Sequence, residues 1–168
     1  EVKGIKEAKS GTTLAGKNVN SYLNRLRKLN FVNTKIDAVV IQLSTNDARF
    51  GYEIGEMSQS FDLESFDTET TLGAIEYIIK YVHTKWHCPI IFYTCIREND
   101  LTYKQLVNHL YPLKTKWDIH IIDVYNNDEL NKLAKSDKEM MADDSHPTKK
   151  GYRYLYTPIL VKQLDEIL

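Results

Sequence analysis

The chain is poor in the features that mark specialised protein classes. Its 168 residues include two cysteines, four prolines and seven glycines, and the formal charge is −1. Cys88 and Cys95 flank the apolar run from Pro89 to Thr94. If that run is extended, seven steps of ~3.3 Å place their Cα atoms roughly 23 Å apart, beyond disulfide reach. Both are expected to be free thiols, which favours a reducing compartment, although two cysteines do not exclude export. The first residue is Glu1 rather than methionine, which leaves room for a removed leader. No apolar stretch nears the ~18 residues that span a bilayer. Lysine and arginine are scattered, with short clusters only at Arg25 to Lys28 and Lys149-Lys150, so neither nucleic acid nor an anionic membrane is an expected partner. No glycine-rich phosphate loop follows the first apolar run, which argues against a flavodoxin-like cofactor domain, and no cofactor is expected.

What is present is an alternation. Four β-type runs, Val2 to Ala8, Ile36 to Leu43, Ile90 to Thr94 and Ile119 to Val124, are separated by segments of helical spacing. The second and third runs are almost continuously apolar, as strands covered on both faces should be. Val19, Tyr22, Leu23, Leu26 and Leu29 form one helical stripe; Leu72, Ile75, Ile78, Ile79, Val82 and Trp86 form a longer one, with Asp67 or Thr68 as its expected N-cap. Tyr103, Leu106, Val107, Leu110 and Leu113 form a third. A last helix is expected over Lys149 to Leu168, kinked or interrupted at Pro158. Residues 1–168 therefore read as one domain, an α/β sandwich around a mostly parallel sheet. The long irregular stretch from Ala48 to Phe66 carries Phe50, Tyr52, Phe61 and Phe66. It reads either as the wall or lid of a pocket or as a solvated insertion anchored by one or two aromatics.

In a parallel α/β sheet the loops after the strands converge on one edge, where ligands bind. Gly11 follows the first run, Asn46 the second, Arg97 and Asn99 the third, and Asp143 and His146 lie after the fourth. His146 is a candidate general base, with Asp143 or Asp144 to orient it. Asp-x-x-His ahead of a helix is also a capping arrangement. Asn46 offers a neutral donor for an oxyanion, and Gly11 a backbone N–H that a substrate could approach closely. The bland alternatives are an Asn-Asp turn and a strand-ending glycine. Asp47 reads chiefly as a backbone brace; with Phe50, Tyr52 and Arg97 it is also a candidate for substrate contact. Tyr152, Tyr154 and Tyr156, alternating with Arg153 and Leu155, are expected to pack the terminal helix against the sheet, with a sugar-binding surface as the alternative. His83 and His87 are four apart on a helix, but no third ligand accompanies them, so no metal site is expected.

Ser10-Gly11-Thr12-Thr13, Ser44-Thr45-Asn46-Asp47 and Asp143-Asp144-Ser145-His146, in that order, resemble the later blocks of the SGNH (GDSL-type) hydrolase family over nearly the whole chain. The resemblance implies a three-layer α/β/α sandwich with a flavodoxin-like sheet. It implies a serine esterase acting on a small acyl or acetyl ester, carbohydrate esters included. Gly11 and Asn46 would be oxyanion donors, His146 the base and Asp143 its partner. Two departures stand out. Ser44 occupies the position of a family glycine, and the Gly-Asp-Ser turn carrying the nucleophile is missing, together with the strand leading into it. Ser10, Ser44 and Ser145 are poor substitutes, because none follows a strand-to-helix elbow. Three explanations stay open: a fragment of a longer hydrolase, a strand supplied by another polypeptide or a homo-oligomer, or a non-catalytic binding module with a repaired sheet.

Overall fold

The computed structural model describes residues 3–16, 18–29, 31 and 34–168. Three parallel strands, β1 (Val39–Gln42), β2 (Ile90–Tyr93) and β3 (His120–Ile122), form a sheet in the order β1-β2-β3. Val39 to Gln42 pair in register with Ile90 to Tyr93, and Ile91 to Tyr93 with His120 to Ile122. The runs are apolar on both faces because helices cover both faces of β2 and β3. This is an α/β fold.

The crossovers explain the layers. The short helix α1 (Tyr22–Leu26) and the short helix α2 (Thr45–Arg49) flank β1 in the chain, α3 (Thr71–Trp86) joins β1 to β2, and α4 (Leu101–Trp117) joins β2 to β3. Helices α3 and α4 pack on the face that presents Ile90 and Phe92, burying Leu72, Ile75, Ile79, Leu106 and Leu110. Each such side chain contributes about 1.5–3 kcal/mol when it leaves water. Helix α1 joins this layer against α3. The opposite face presents Ile91 and Ile122 to Ala134 of α5 (Asp128–Ser136) and to Leu155 and Tyr156 near the C-terminus. The N-cap of α3 is Thr70, whose hydroxyl accepts from Gly73 N–H, and not Asp67 or Thr68. Asp67 instead lays its backbone against Gly73, where a Cβ would overlap the Asp67 carbonyl oxygen. Ser44 caps α2, its hydroxyl accepting from the N–H groups of Asn46 and Asp47.

The terminal helix runs in three pieces: α6 (Lys149–Gly151), a π-helical turn (Tyr152–Tyr156) and α7 (Thr157–Ile167), with Pro158 in the first turn of α7. Proline has no N–H to give, so it is tolerated where a helix restarts.

The expected first strand is not formed. Residues 3–9 are irregular and exposed, with Ile5 46% accessible, and Glu1 and Val2 lie outside the described residues. A strand needs a partner for its backbone groups, and among the described residues only β1, β2 and β3 pair as strands.

The stretch after α2 is pinned along the α3/α4 layer. Glu53 and Ile54 carbonyls accept from Thr71 and Leu72 N–H, and Phe61 and Phe66 meet the edge of Trp117 at 4.9 and 5.9 Å. Beneath them lies a buried ion pair. Lys116 Nζ donates to Glu76 Oε1 at 2.6 Å and to the carbonyls of Ser58 and Ser60, while Glu76 also accepts from Trp117 Nε1 and Ser58 N–H. Residues 58–66 are thereby fastened at the C-terminal end of α4, away from the carboxyl ends of the strands; the anchored-insertion reading describes them, and a lid does not.

Candidate active site

The carboxyl edge of the sheet is laced by hydroxyl groups. The Tyr103 phenol oxygen accepts from Cys95 N–H at 2.9 Å, Tyr156 does the same for Ile96, and Thr94 Oγ1 accepts from Tyr125 N–H. Gln42 and Tyr93, at the ends of β1 and β2, share a bond from the Tyr93 hydroxyl to Gln42 Oε1 at 3.1 Å, and Gln42 Nε2 donates to Cys95 Sγ. Burial pushes the Cys95 thiol up to about 11, so it is protonated at neutral pH and is no nucleophile. Both cysteines are free.

After β3 and α5 the chain turns through Asp143 to His146. His146 Nδ1 lies 2.9 Å from each oxygen of Asp143, and Asp143 Oδ1 also accepts from the N–H groups of Ser145 and His146. Those contacts hold the Asp143 carboxyl far below the usual carboxylate range, the Ser145 N–H first and the His146 ring next. An ionised carboxylate can only accept, so Nδ1 carries the proton, and in the neutral ring the lone pair is then on Nε2. Among the described residues Nε2 has no hydrogen-bond partner, and the side chain is 66% exposed. The cap of the following helix is Thr148, whose hydroxyl accepts from Gly151 N–H. Asp143 is therefore free of helix capping, and it is Asp143 rather than Asp144 that touches the ring.

The other candidates are placed as follows. Asn46 sits in the first turn of α2, and its Nδ2 donates to the Thr12 carbonyl at 3.0 Å; Ser44 Oγ donates to the same oxygen at 3.3 Å. One of the two Asn46 amide protons is thus engaged, and Ser44 is buried and committed to its cap. Gly11 occupies an exposed turn at φ +73, with open space on the side where a Cβ would stand. Asp47 is fully buried. It accepts from Leu14 and Ala15 N–H at 2.8 and 3.0 Å and from the Thr71 hydroxyl at 3.2 Å, tying the Thr12–Gly16 loop to α2 and α3. Burial raises its carboxyl even against those bonds. It is a brace and cannot reach a substrate, which corrects the substrate-contact expectation. Arg97 is paired with Asp100 at 2.6 Å, where Asp100 caps α4. Tyr52 packs its ring beside Gly16, Phe50 is exposed, and Asn99 takes a left-handed turn at φ +55. Tyr156 is buried as expected, but Tyr152 and Tyr154 are about half exposed.

Two clefts lie elsewhere. One of about 300 Å³ is lined by His83, His87, Cys88, Trp117, Asp118 and His120; another of about 260 Å³ is lined by Gly16, Leu23, Asn24, Arg27, Thr68 and Glu69. Neither includes Asn46 or His146. No three described His, Cys, Asp or Glu side chains are grouped to hold a metal. His83 is held below its ordinary value by burial first and by Lys80 next, with Asp118 opposing and His87 adding. A histidine depressed by folding is more basic in the unfolded chain, so its contribution to stability is lost as pH falls through ~6.5 towards the folded value. Urea midpoints at pH 7.5 and 5.5 are expected to show a smaller loss on acidification in His83→Gln than in the parent; equal losses would remove His83 as the cause.

No family model matches the chain, and no curated protein matches its sequence. Solved structures do share its fold. A protein from Lactobacillus plantarum aligns over 95% of this chain and 79% of its own, with TM-score 0.74 and 15% identity. A structure named as a candidate GDSL-like lipase from Bacteroides ovatus aligns over 93% of this chain and 68% of its own, with TM-score 0.63 and 17% identity. No helix among the described residues is long and apolar enough to cross a membrane.

Proposed function

We propose that this domain serves ester hydrolysis of the SGNH type, removing a small acyl or acetyl group, carbohydrate esters included, through a serine acyl-enzyme. The observation that carries the reading is the Asp143–His146 pair: an ionised carboxylate on Nδ1, an unengaged Nε2, and a following helix capped by Thr148 and not by Asp143. His146 is the base that takes the nucleophile's proton and returns it to the departing alcohol; Asp143 holds its tautomer. Asn46 and Gly11 are the oxyanion donors. Asn46 serves by turning its second amide proton, or the one now on Thr12, towards the developing charge. The shared fold with a GDSL-like lipase supports the class and leaves the substrate open.

The nucleophile is not among these serines. Ser44 is buried in its cap, and Ser145 Oγ lies 3.2 Å from Nδ1, the wrong nitrogen for a base whose Nδ1 is already protonated. Ser10 lies in an exposed turn with no strand-to-helix elbow to present its hydroxyl. Ser21 is buried as the cap of α1, Ser58, Ser60 and Ser65 belong to the anchored segment before α3, and Ser136 ends α5, so in this reading the serine comes from polypeptide other than these residues and the chain alone is inactive. A non-catalytic module is the second reading, favoured by the 66% exposure of His146.

The test is the intact mass of the protein isolated from its source after treatment with a fluorophosphonate, which labels activated serines. One adduct on a serine outside residues 1–168 is expected. A folded protein that takes no label, or takes it on Ser10 or Ser145, would overturn the assignment.

A further inference from the structure

Every hydrogen-bond partner of His146 among the described residues belongs to its own loop. The ring meets Asp143 and Ser145, the backbone N–H donates to Asp143, and the carbonyl accepts from Ala142 N–H at 2.7 Å. The loop doubles back on itself: Met141 and Pro147 form an antiparallel bridge, and Thr148 N–H donates to the Met140 carbonyl at 2.9 Å. The Asp143 contact therefore fixes the tautomer of His146 but not where the imidazole stands relative to the sheet. That is decided at the base of the loop.

The base is a contact between two stretches of backbone. Met140 is anchored there, its side chain buried in the core that also holds Ile91, Leu155 and Tyr156. Its carbonyl accepts from Thr148 N–H and Oγ1 and faces Gly151, where a Cβ would overlap the carbonyl oxygen and come within 3.0 Å of Pro147 Cβ. Gly151 has φ −60 and ψ −44, an ordinary right-handed helical conformation. Alanine suits that conformation better than glycine does, so backbone freedom is not what the position requires. It requires room. Lys150 also reaches the base, pairing with Asp137 at 2.7 Å and Glu139 at 2.8 Å, but these side chains are 31 to 78% exposed, and such pairs hold geometry weakly. We infer that Gly151 is a positioning residue for His146: its bare Cα lets the loop seat against the terminal helix, and a side chain there lifts the loop and carries the imidazole off its station. The inference rests on His146 being the base, and it adds a residue that touches neither the imidazole nor a substrate. A backbone carbonyl cannot swing aside as a side-chain tip does, so relief of the overlap moves Met140 and Pro147, which flank the loop, by on the order of 1 Å. A misplacement of that size costs about 10²-fold in rate when it separates reacting groups.

The test compares Gly151→Ala with Gly73→Ala, the same lesion at another site, since Gly73 is also helical and its Cβ would overlap the Asp67 carbonyl. NMR of the 168-residue chain reads the seat without any ester turnover. The parent should show contacts between the Gly151 Hα and Pro147 Hβ protons and an Nδ1–H resonance for His146. In Gly151→Ala the Thr148 amide should exchange at least ~10-fold faster while the Nδ1–H resonance persists, and in Gly73→Ala the Thr148 amide should be unchanged. In the ester-hydrolysing protein, Gly151→Ala should lower kcat about 10²-fold with KM within ~3-fold, and Gly73→Ala should keep kcat within ~3-fold. A parent chain without the Gly151–Pro147 contact overturns the inference even if Gly151→Ala does not fold. So does unchanged Thr148 exchange, unchanged kcat, or an equal loss in the two glycine variants, which would be general destabilisation. A parent without the Nδ1–H resonance would remove the base assignment and the inference with it, whereas the resonance together with unchanged exchange in Gly151→Ala overturns the inference alone.

Discussion

Glu76→Ala is expected to lower the unfolding free energy by about 3–5 kcal/mol, a large part of a typical domain's stability. The carboxylate is fully buried in α3, and the Lys116 side chain beside it is only 10% exposed. Removing the acid strands an ammonium that lies 4.9 to 5.7 Å from the rings of Phe61, Phe66 and Trp117 and has little access to water. It also leaves the Trp117 indole N–H and the Ser58 N–H without acceptors. Those rings soften the loss without replacing the charge. Urea unfolding checks this, with Glu76→Leu/Lys116→Met as the companion variant. The double variant should recover much of the loss, because an apolar pair needs no compensation. A loss below ~1 kcal/mol in Glu76→Ala would show that water or a rearranged residue 58–60 segment takes over the solvation.

In any form of the protein that turns over an ester, His146→Ala should reduce kcat/KM by at least ~10⁴-fold. The reason is local. The other imidazoles lie elsewhere: His83, His87 and His120 line a cleft at the opposite end of the strands, and His109 sits midway along α4. Asp143→Asn should be less damaging, since it loses the preferred tautomer but keeps a hydrogen-bonding partner for the ring. Steady-state hydrolysis of p-nitrophenyl acetate measures both. Retention of turnover within tenfold in His146→Ala would assign proton transfer to another group. Equal burst amplitude with slowed turnover would instead keep His146 as the base for the second half of the reaction.

Much of the fold is legible in the sequence where the signal is local. The apolar runs before Leu43 and Thr94 and around Ile121 are strands, because each is apolar enough to be covered on both sides. The stripe from Leu72 to Trp86 is α3. The Asp143–His146 contact follows from a spacing that an Asx-type turn closes within three residues. The failures have physical causes. Val2 to Ala8 has strand composition, but pairing is not a property of one segment. Helix α2 is hidden because Ser-Thr-Asn-Asp is equally good as a turn and as a capped first turn. Helix α5 is polar on most sides and buries only Ala134 fully, so its stripe is too thin to read. The partners of Asn46 and Glu76, 34 and 40 residues away, lie beyond any local pattern.

The π-helical turn at Tyr152–Tyr156 bears on how this chain tolerates changes of length. A π turn holds one residue more than an α turn, so it advances the angular phase of everything after it by about 100°. Tyr156 is buried from within that turn, its hydroxyl oxygen accepting from Ile96 N–H, and Ile159, Leu160 and Leu164 follow it onto the sheet. The orientation of the last helix is thus a counting problem: adding or removing one residue between Gly151 and Thr157 would rotate those side chains off the sheet while leaving every helix-forming residue in place.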